Sequence, residues 1–562
     1  MKIKSIVTIL GLGFIAKIVS ATPCQPQLKW RWQGTIDAPA TPWLMFTPLV
    51  AQINDDNGDG FVDTLDIPDV VFVHRAPGVT VADMGVLSAL SGTDGNTVMT
   101  IGPLSSLYHG LAVGDIDNDD YPELLVQHRD RKRIIAYDHN GTLKWTSVDV
   151  HPPVLSFLIP SAPAIADLDQ DGSPEIVFAN AALRADGTLW WKGTGGFGLY
   201  KMDLGFISNP IEVVASESGL EVSAGNTLYS ANGRILWNRS DLLDGWTAVT
   251  DFQEDGRPEI VLSVGGYNGP LYVLDGLTGV TVGVPYVRQN GVNNTMAHPV
   301  VSDLDRDCVP EVLTGTAFDT LQALKWDEAS KSLNLYWETP VALDLSGVST
   351  PTICDLDGDA FPEVLYTGTD AWYIINGRTG QTIWQFPHQS STVYENIVCA
   401  DLGNQLAELV VMAVGGSVED NTVSVYGCSN WAQARPIWNQ FQYHVTNVGD
   451  SGQIPRVEDV PWISGIGWLE QRERLPSTGS IPADSGNTLK GVKVGPDLVF
   501  TWAGDSFSVG YNLYREVVKG FLGTLWRSFP NPTANLIGEI SFPPYLYYYR
   551  VTGISCAGLE GP

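Results

Sequence analysis

The chain has 562 residues, with 63 acidic against 32 basic side chains and a formal net charge of −31. That length allows a large core and more than one domain. The charge excludes nucleic acid and anionic membrane surfaces as partners, because Lys and Arg carry both kinds of binding. No metalloprotease His-Glu-x-x-His, phosphate loop, nucleophile elbow or Cys-x-x-Cys occurs, so no residue is singled out as catalytic.

The first element reads as an export signal over 1–21. Lys2 and Lys4 precede an apolar run from Ile6 to Ala16, and Val19-Ser20-Ala21 offers small residues for cleavage before Thr22. The run is too short to span a bilayer. The mature chain is therefore expected without a transmembrane segment, as a secreted, periplasmic or cell-surface protein in a compartment that permits disulfides. An isolated strand, Leu28-Lys-Trp30-Arg-Trp32, follows.

A short acidic motif then recurs, its copies starting at 55, 115, 167, 203, 251, 303, 355 and 401. Five copies are clear: Asp115, Asp117, Asp119 and Glu123; Asp167, Asp169, Asp171 and Glu175; Asp251, Gln253, Asp255 and Glu259; Asp303, Asp305, Asp307 and Glu311; Asp355, Asp357, Asp359 and Glu363. Oxygen ligands at positions 1, 3, 5 and 9 are what a hard cation of the calcium type takes. Position 7 adds a main-chain carbonyl, from Tyr121, Ser173, Arg257, Val309 or Phe361. The first copy, Asp55, Asn57, Asp59, Asp63 and Asp66, follows a twelve-residue spacing like an EF-hand loop without its helices. Copies at Asp203 (continuing to Pro210-Ile-Glu212) and at Asp401 lose most ligands and are expected to bind nothing. Position 6 favours Gly, as at Gly172, because the turn wants a left-handed backbone. Cys308 and Ala360 there should each cost about 1 kcal/mol.

Each acidic loop precedes an apolar strand such as Glu175-Ile-Val-Phe178. Asp-Gly and Asn-Gly turns follow, as in Leu228-Tyr-Ser-Ala-Asn-Gly-Arg-Ile-Leu-Trp237. With the small-residue strand before each loop, that makes four strands per repeat. Such units predict an all-β, eight-bladed β-propeller over 22–428, with seven blades as the alternative given the short interval before 203. The last repeat lacks a fourth strand, and Leu28–Trp32 supplies it. Cys24 then stands beside Cys428, predicting a disulfide that staples the ring and adds ~2–5 kcal/mol. Cys308, Cys354, Cys399 and Cys556 receive no partner.

With these loops and strands the chain resembles the FG-GAP/VCBS repeat family, to which the integrin α-subunit propellers belong. The resemblance implies calcium in the loop joining the first two strands of a blade, about five to six structural ions. It does not imply one function, since such propellers serve adhesion, scaffolding and, in some lyases, catalysis.

Residues 429–470 break the repeat with Trp431, Arg435, Trp438, Tyr443 and His444. Packing across a face of the propeller is the expectation, and a ligand site is the alternative. Gly449-Asp-Ser-Gly452 and Leu475-Pro-Ser-Thr-Gly479 spell protease and sortase signatures without their contexts. The Pro/Ser/Gly-rich stretch 471–487 reads as a linker. From 488 to 562, Leu498–Trp502, Tyr511–Arg515 and Tyr547–Val551 resemble a fibronectin type III domain, a small β-sandwich. The leading expectation is ligand binding or adhesion toward a protein or glycan at the cell surface. The alternative is a lyase-type polysaccharide-active enzyme.

Overall fold

The computed structural model describes residues 24–459, save 34–45, 76–84, 106–109, 151–160, 201–204, 215–216, 254, 265–268, 289–295, 308, 317–319, 342–348, 360, 391–393 and 415–421, together with the strands between 490 and 554. All regular elements described are strands.

Eight antiparallel sheets form a ring of blades. Blades 1 to 4 begin at Leu49–Ala51, Leu111–Gly114, Ala164–Ala166 and Asn209–Ile211, and blades 5 to 7 at Gly245–Thr250, Val300–Ser302 and Thr352–Cys354. Blade 8 takes Val398–Ala400, Glu408–Ala413 and Thr422–Gly427 from one end of the chain, and Gln27–Trp32 from the other. Innermost strands meet around the axis, Val398–Ala400 against Leu49–Ala51 closing the circle. The inner strands are buried throughout because blades stack face to face, whereas an outer strand such as Leu143–Thr146 is mostly exposed. Small side chains, as in Ala164-Ile-Ala166, suit the crowded axis.

Neighbouring blades are joined by a repeated latch. The indole Nε1 of Trp145 donates to Ala185 O at 2.8 Å, Trp191 to Ala231 O at 2.8 Å, Trp237 to Gly276 O at 2.8 Å and Trp337 to Gly377 O at 2.7 Å. Each Trp lies on the outer strand of one blade, and each acceptor in the last hairpin of the next. The indole rests on a turn glycine two or three residues further on. At Gly187, Gly233, Gly279 and Gly380 an added Cβ would lie 2.6, 2.5, 2.6 and 2.8 Å from that ring, and φ is +79, +81, +68 and +70. Glycine is thus required twice over, by backbone and by contact. Trp30 makes the same latch from the N-terminal strand to blade 1, its Nε1 2.6 Å from Gly92 O and its ring over Gly95.

A disulfide links Cys24 to Cys428, and another links Cys354 to Cys399 with Cα atoms 6.5 Å apart. The second ties the innermost strands of blades 7 and 8, a pairing that linear spacing did not reveal. Two disulfides fit an oxidising compartment.

The fourth repeat needs correction. The sequence placed Glu212 as its closing acid in a copy starting at Asp203. Instead Asn209–Ile211 is the innermost strand, so Glu212 stands where Asp115 or Asp167 stands in its blade. Glu221 is the closing acid, accepting from Val213 N and Val214 N at 2.8 and 2.9 Å. The short interval before 203 was therefore a misplaced register, and Asp203 itself lies outside the described residues. Blade 5 carries three strands rather than four, its outer edge made by the single bridges Leu274–Thr281 and Leu271–Tyr286. Position 4 of the acidic loops, unremarked in the sequence, is left-handed as well, at Asn118 (φ 60), Gln170 (φ 58) and Arg306 (φ 62). Cys308 and Ala360 lie outside the described residues, as does the export segment 1–21.

Beyond the ring, Lys490–Val494, Asp497–Thr501 and Asn535–Ile537 form one three-stranded sheet, and Thr524–Phe529, Gly510–Glu516 and Tyr548–Ile554 another. No described helix is long and apolar enough to cross a membrane.

Candidate functional site: the acidic-loop face

Each acidic loop joins the innermost strand of its blade to the second, so all the loops emerge on one face of the ring. The closing acid begins the second strand and is buried, and its carboxylate reaches back to the backbone N–H that follows the first strand. Ile116 N donates to Glu123 Oε2 at 3.0 Å, Leu168 N to Glu175 at 3.0 Å, Phe252 N to Glu259 at 3.0 Å, Leu304 N to Glu311 at 2.9 Å and Leu356 N to Glu363 at 2.9 Å. The degenerate copy keeps this clasp, with Leu402 N to Glu408 at 2.8 Å. Blade 1 has it through Asp69, whose Oδ2 is 3.4 Å from Ile53 N. Asp69 stands outside the twelve-residue ligand spacing, yet Pro68-Asp69-Val70 repeats the Pro-acid-apolar order of Pro122-Glu123-Leu124. The closing acid is thus first a structural hinge pin, present whether or not its loop keeps ligands.

Carboxylates converge in four loops: Asp115, Asp117 and Glu123; Asp167, Asp169 and Glu175; Asp303, Asp305 and Glu311; Asp355, Asp357 and Asp359, with one oxygen of each residue within 4.8 Å of the others. Asp119, Asp171 and Asp307 instead accept from Tyr121, Ser173 and Val309 N at 3.0, 2.8 and 3.1 Å, which shapes the loop. Around Asp251, Gln253, Asp255 and Arg257, and around Asp55, Asn57, Asp59 and Asp63, no such group of three forms among the described residues. Asp66 is engaged by the N–H groups of Asp56, Asn57 and Asp63 at 2.9, 3.2 and 3.0 Å.

The four clusters divide by what neutralises them. Lys144 Nζ lies 2.5 Å from Asp117 and 2.6 Å from Glu123. Arg184 reaches Asp169 at 2.9 Å and Glu175 at 2.5 Å. Lys325 meets Asp305, Asp307 and Glu311 at 2.6, 2.8 and 3.1 Å. In blade 8, Lys29 of the N-terminal strand pairs with Glu408. No described cation pairs with Asp357, Asp359 or Glu363. Burial and then the neighbouring Asp357 push Glu363 up to about 9, and burial and Asp359 push Asp357 up to about 7. The all-oxygen donor set at 355–363 therefore fits a hard dication, while in the other three loops a cationic side chain shares the carboxylates.

The same face carries segment 429–459, which crosses the loops and enters the axis. Ala432 N donates to Leu356 O at 2.8 Å, Asp401 N to Arg435 O at 2.9 Å, Val50 and Trp438 exchange backbone bonds at 3.0 and 2.7 Å, and Val113 N donates to Asn439 O at 2.8 Å. Ile165 N donates to the Gln440 side chain at 2.7 Å, and Arg456 donates to Gln170 O at 2.8 Å. Trp438 and Phe441 are fully buried. Phe441 sits among Phe46, Tyr394 and His298, with ring centroids 5.3, 5.7 and 5.9 Å away. Arg435 folds the segment on itself, donating to Asp450 and to the carbonyls of Val445 and Val448, each at 2.6 Å. His444, also buried, pairs with Glu458. Gly449 and Gly452 close a plain turn at 3.0 Å.

Residues 115–178 match the FG-GAP-like repeat family. No curated protein sequence matches the chain. Among solved structures, the biofilm matrix protein Bap1 of V. cholerae is similar in fold, with a TM-score of 0.66 and 18% identity over 80% of this chain and 98% of that one. A Bacillus licheniformis rhamnogalacturonan lyase of PL11 gives a TM-score of 0.47 and 15% identity over 82% of this chain and 81% of that one.

Proposed function

We propose that this chain is an exported, calcium-stabilised propeller that acts by ligand binding or adhesion at or outside the cell surface. The observation that carries this reading is the filled axis: segment 431–448 occupies the channel where a ring of blades would enclose a small substrate. A ligand then meets the protein on its faces and outer seams, the geometry of a binding surface. The fold likeness to a biofilm matrix protein is compatible with this role and does not assign it. The two three-stranded sheets after 490 support a fibronectin-like module in series with the ring, its strand order matching the two halves of such a sandwich.

Calcium in this reading is structural. Asp355, Asp357 and Asp359 would hold it in blade 7, with Glu363 behind them. The ion supplies charge neutralisation for carboxylates that burial and mutual repulsion disfavour. The test is retention of the protein by whole cells and by immobilised matrix polymers, with and without calcium, beside an assay for unsaturated sugar products. Calcium-dependent retention without product supports adhesion. Product formation on an acidic polysaccharide would replace it with the lyase alternative.

A further inference from the structure

The ring-closing seam carries a cleft on the side away from the acidic loops. It lies between blades 7 and 8 and measures about 450 Å³, within the ~300–1,000 Å³ usual for small-molecule sites. Its floor is the buried indole of Trp372, stacked on Phe386 at 4.4 Å and meeting Tyr426 at 5.2 Å. Arg31 and Asp370, both exposed, flank the opening.

Two polar groups mark this cleft. Arg31 donates to Ser424 Oγ at 3.0 Å and to Tyr426 Oη at 3.3 Å, and no described carboxylate pairs with it. Arg288, by contrast, pairs with Glu338 at 2.6 Å beside a comparable cleft. The second group is His388. Its Nε2 is buried with no hydrogen-bond partner among the described residues, and burial pushes the imidazole down to about 4. Its backbone N–H donates to Asp370 O at 2.8 Å, which ties the two cleft-lining residues together.

We infer that this seam cleft binds a neutral saccharide unit, with Arg31 and Asp370 holding ring hydroxyls and the half-buried Tyr426 ring, backed by Trp372, facing the apolar side of the sugar. One charge of each sign, an uncharged imidazole and aromatic surface suit a polyhydroxylated ring. The acidity of the whole chain disfavours a polyanion. The inference deepens the adhesive reading and rests on it. Because Arg31 lies on the N-terminal strand, paired opposite Ser424, the cleft exists only when that strand has closed blade 8.

Affinity electrophoresis of the full chain through gels containing dextran, mannan or galactan, and separately alginate or polygalacturonate, tests this. Retardation by at least one neutral polymer is expected, with apparent affinity falling tenfold or more in Arg31→Gln and Asp370→Asn at unchanged melting temperature, and unchanged in Arg234→Gln on blade 4. Equal retardation of the cleft variants, retardation by acidic polymers alone, or none by a neutral polymer overturns the site. If those variants still adhere to cells as the parent does, the cleft fails and the adhesive reading stands. If the parent adheres to nothing, both fail.

Discussion

Replacing Trp30 by Ala probes how the ring closes. Trp30 is 8% exposed, donates to Gly92 O at 2.6 Å and lies flat on Gly95. Truncating so buried an indole costs ~3–5 kcal/mol, including the lost hydrogen bond. Trp237 is equally buried and makes the same latch within the continuous chain, so Trp237→Ala should cost as much. The two differ in consequence. Gln27–Trp32 is held to blade 8 by one backbone ladder, to Thr422–Gly427, by the Lys29–Glu408 pair and the Arg31 hydrogen bonds, and by the Cys24–Cys428 disulfide. Losing the latch on blade 1 should let that strand open on its own. Hydrogen exchange in Thr422–Gly427 should then accelerate in Trp30→Ala and stay at the parent rate in Trp237→Ala. Combining Trp30→Ala with Cys24→Ala and Cys428→Ala should depart from additivity by more than ~0.5 kcal/mol, since both act on one strand. Equilibrium urea unfolding measures the energies. A loss below ~1 kcal/mol in Trp30→Ala, or strict additivity with the cysteine changes, would refute the role of the N-terminal strand in closing the ring.

Chelation of divalent cations should lower the melting temperature, and Asp357→Asn should remove most of that metal-dependent increment. Asp305→Asn should remove little, because Lys325 already neutralises its loop; equal effects in calorimetry would undo the distinction between loops. The His444–Glu458 pair gives a pH signature. Burial alone would lower the His444 pKa, but the Glu458 carboxylate and its hydrogen bond outweigh burial and raise it. The pair's stabilisation is therefore complete below about pH 6.5 and lost as pH rises through the elevated folded value. Urea midpoints that fall over that range in the parent, and lose this slope in Glu458→Gln, are expected; an identical slope in the variant would count against the pair. Gly233→Ala should destabilise by more than the ~1 kcal/mol of a left-handed backbone penalty, because its Cβ would meet Trp191 at 2.5 Å. A smaller loss in urea titration would mean that the latch yields easily.

Much of the fold was legible because its signals are local. A loop acid, a β-branched strand and an Asn-Gly turn each act within a few residues, and their recurrence at blade spacing implied a ring. The orphan Leu28–Trp32 strand was readable for the same reason, since a missing fourth strand at one end matched a surplus at the other. The errors fell where local pattern was thin. Pro210-Ile-Glu212 imitates a second strand, and only pairing with Glu221–Ala224 shows it to be a first one.

The chain's own letters thus determined the repeat, the eight small sheets and the acidic loops. Tertiary structure alone decided which loops share their carboxylates with a cationic side chain. Lys144 and Lys325 lie 21 and 14 residues beyond Glu123 and Glu311, at no fixed offset, and only strand pairing folds them onto those carboxylates. It likewise decided the Trp-to-Gly latches, the Cys354–Cys399 link and the filled axis, because each joins residues from different blades. Sequence periodicity describes one blade at a time, and contacts between blades depend on the ring being closed.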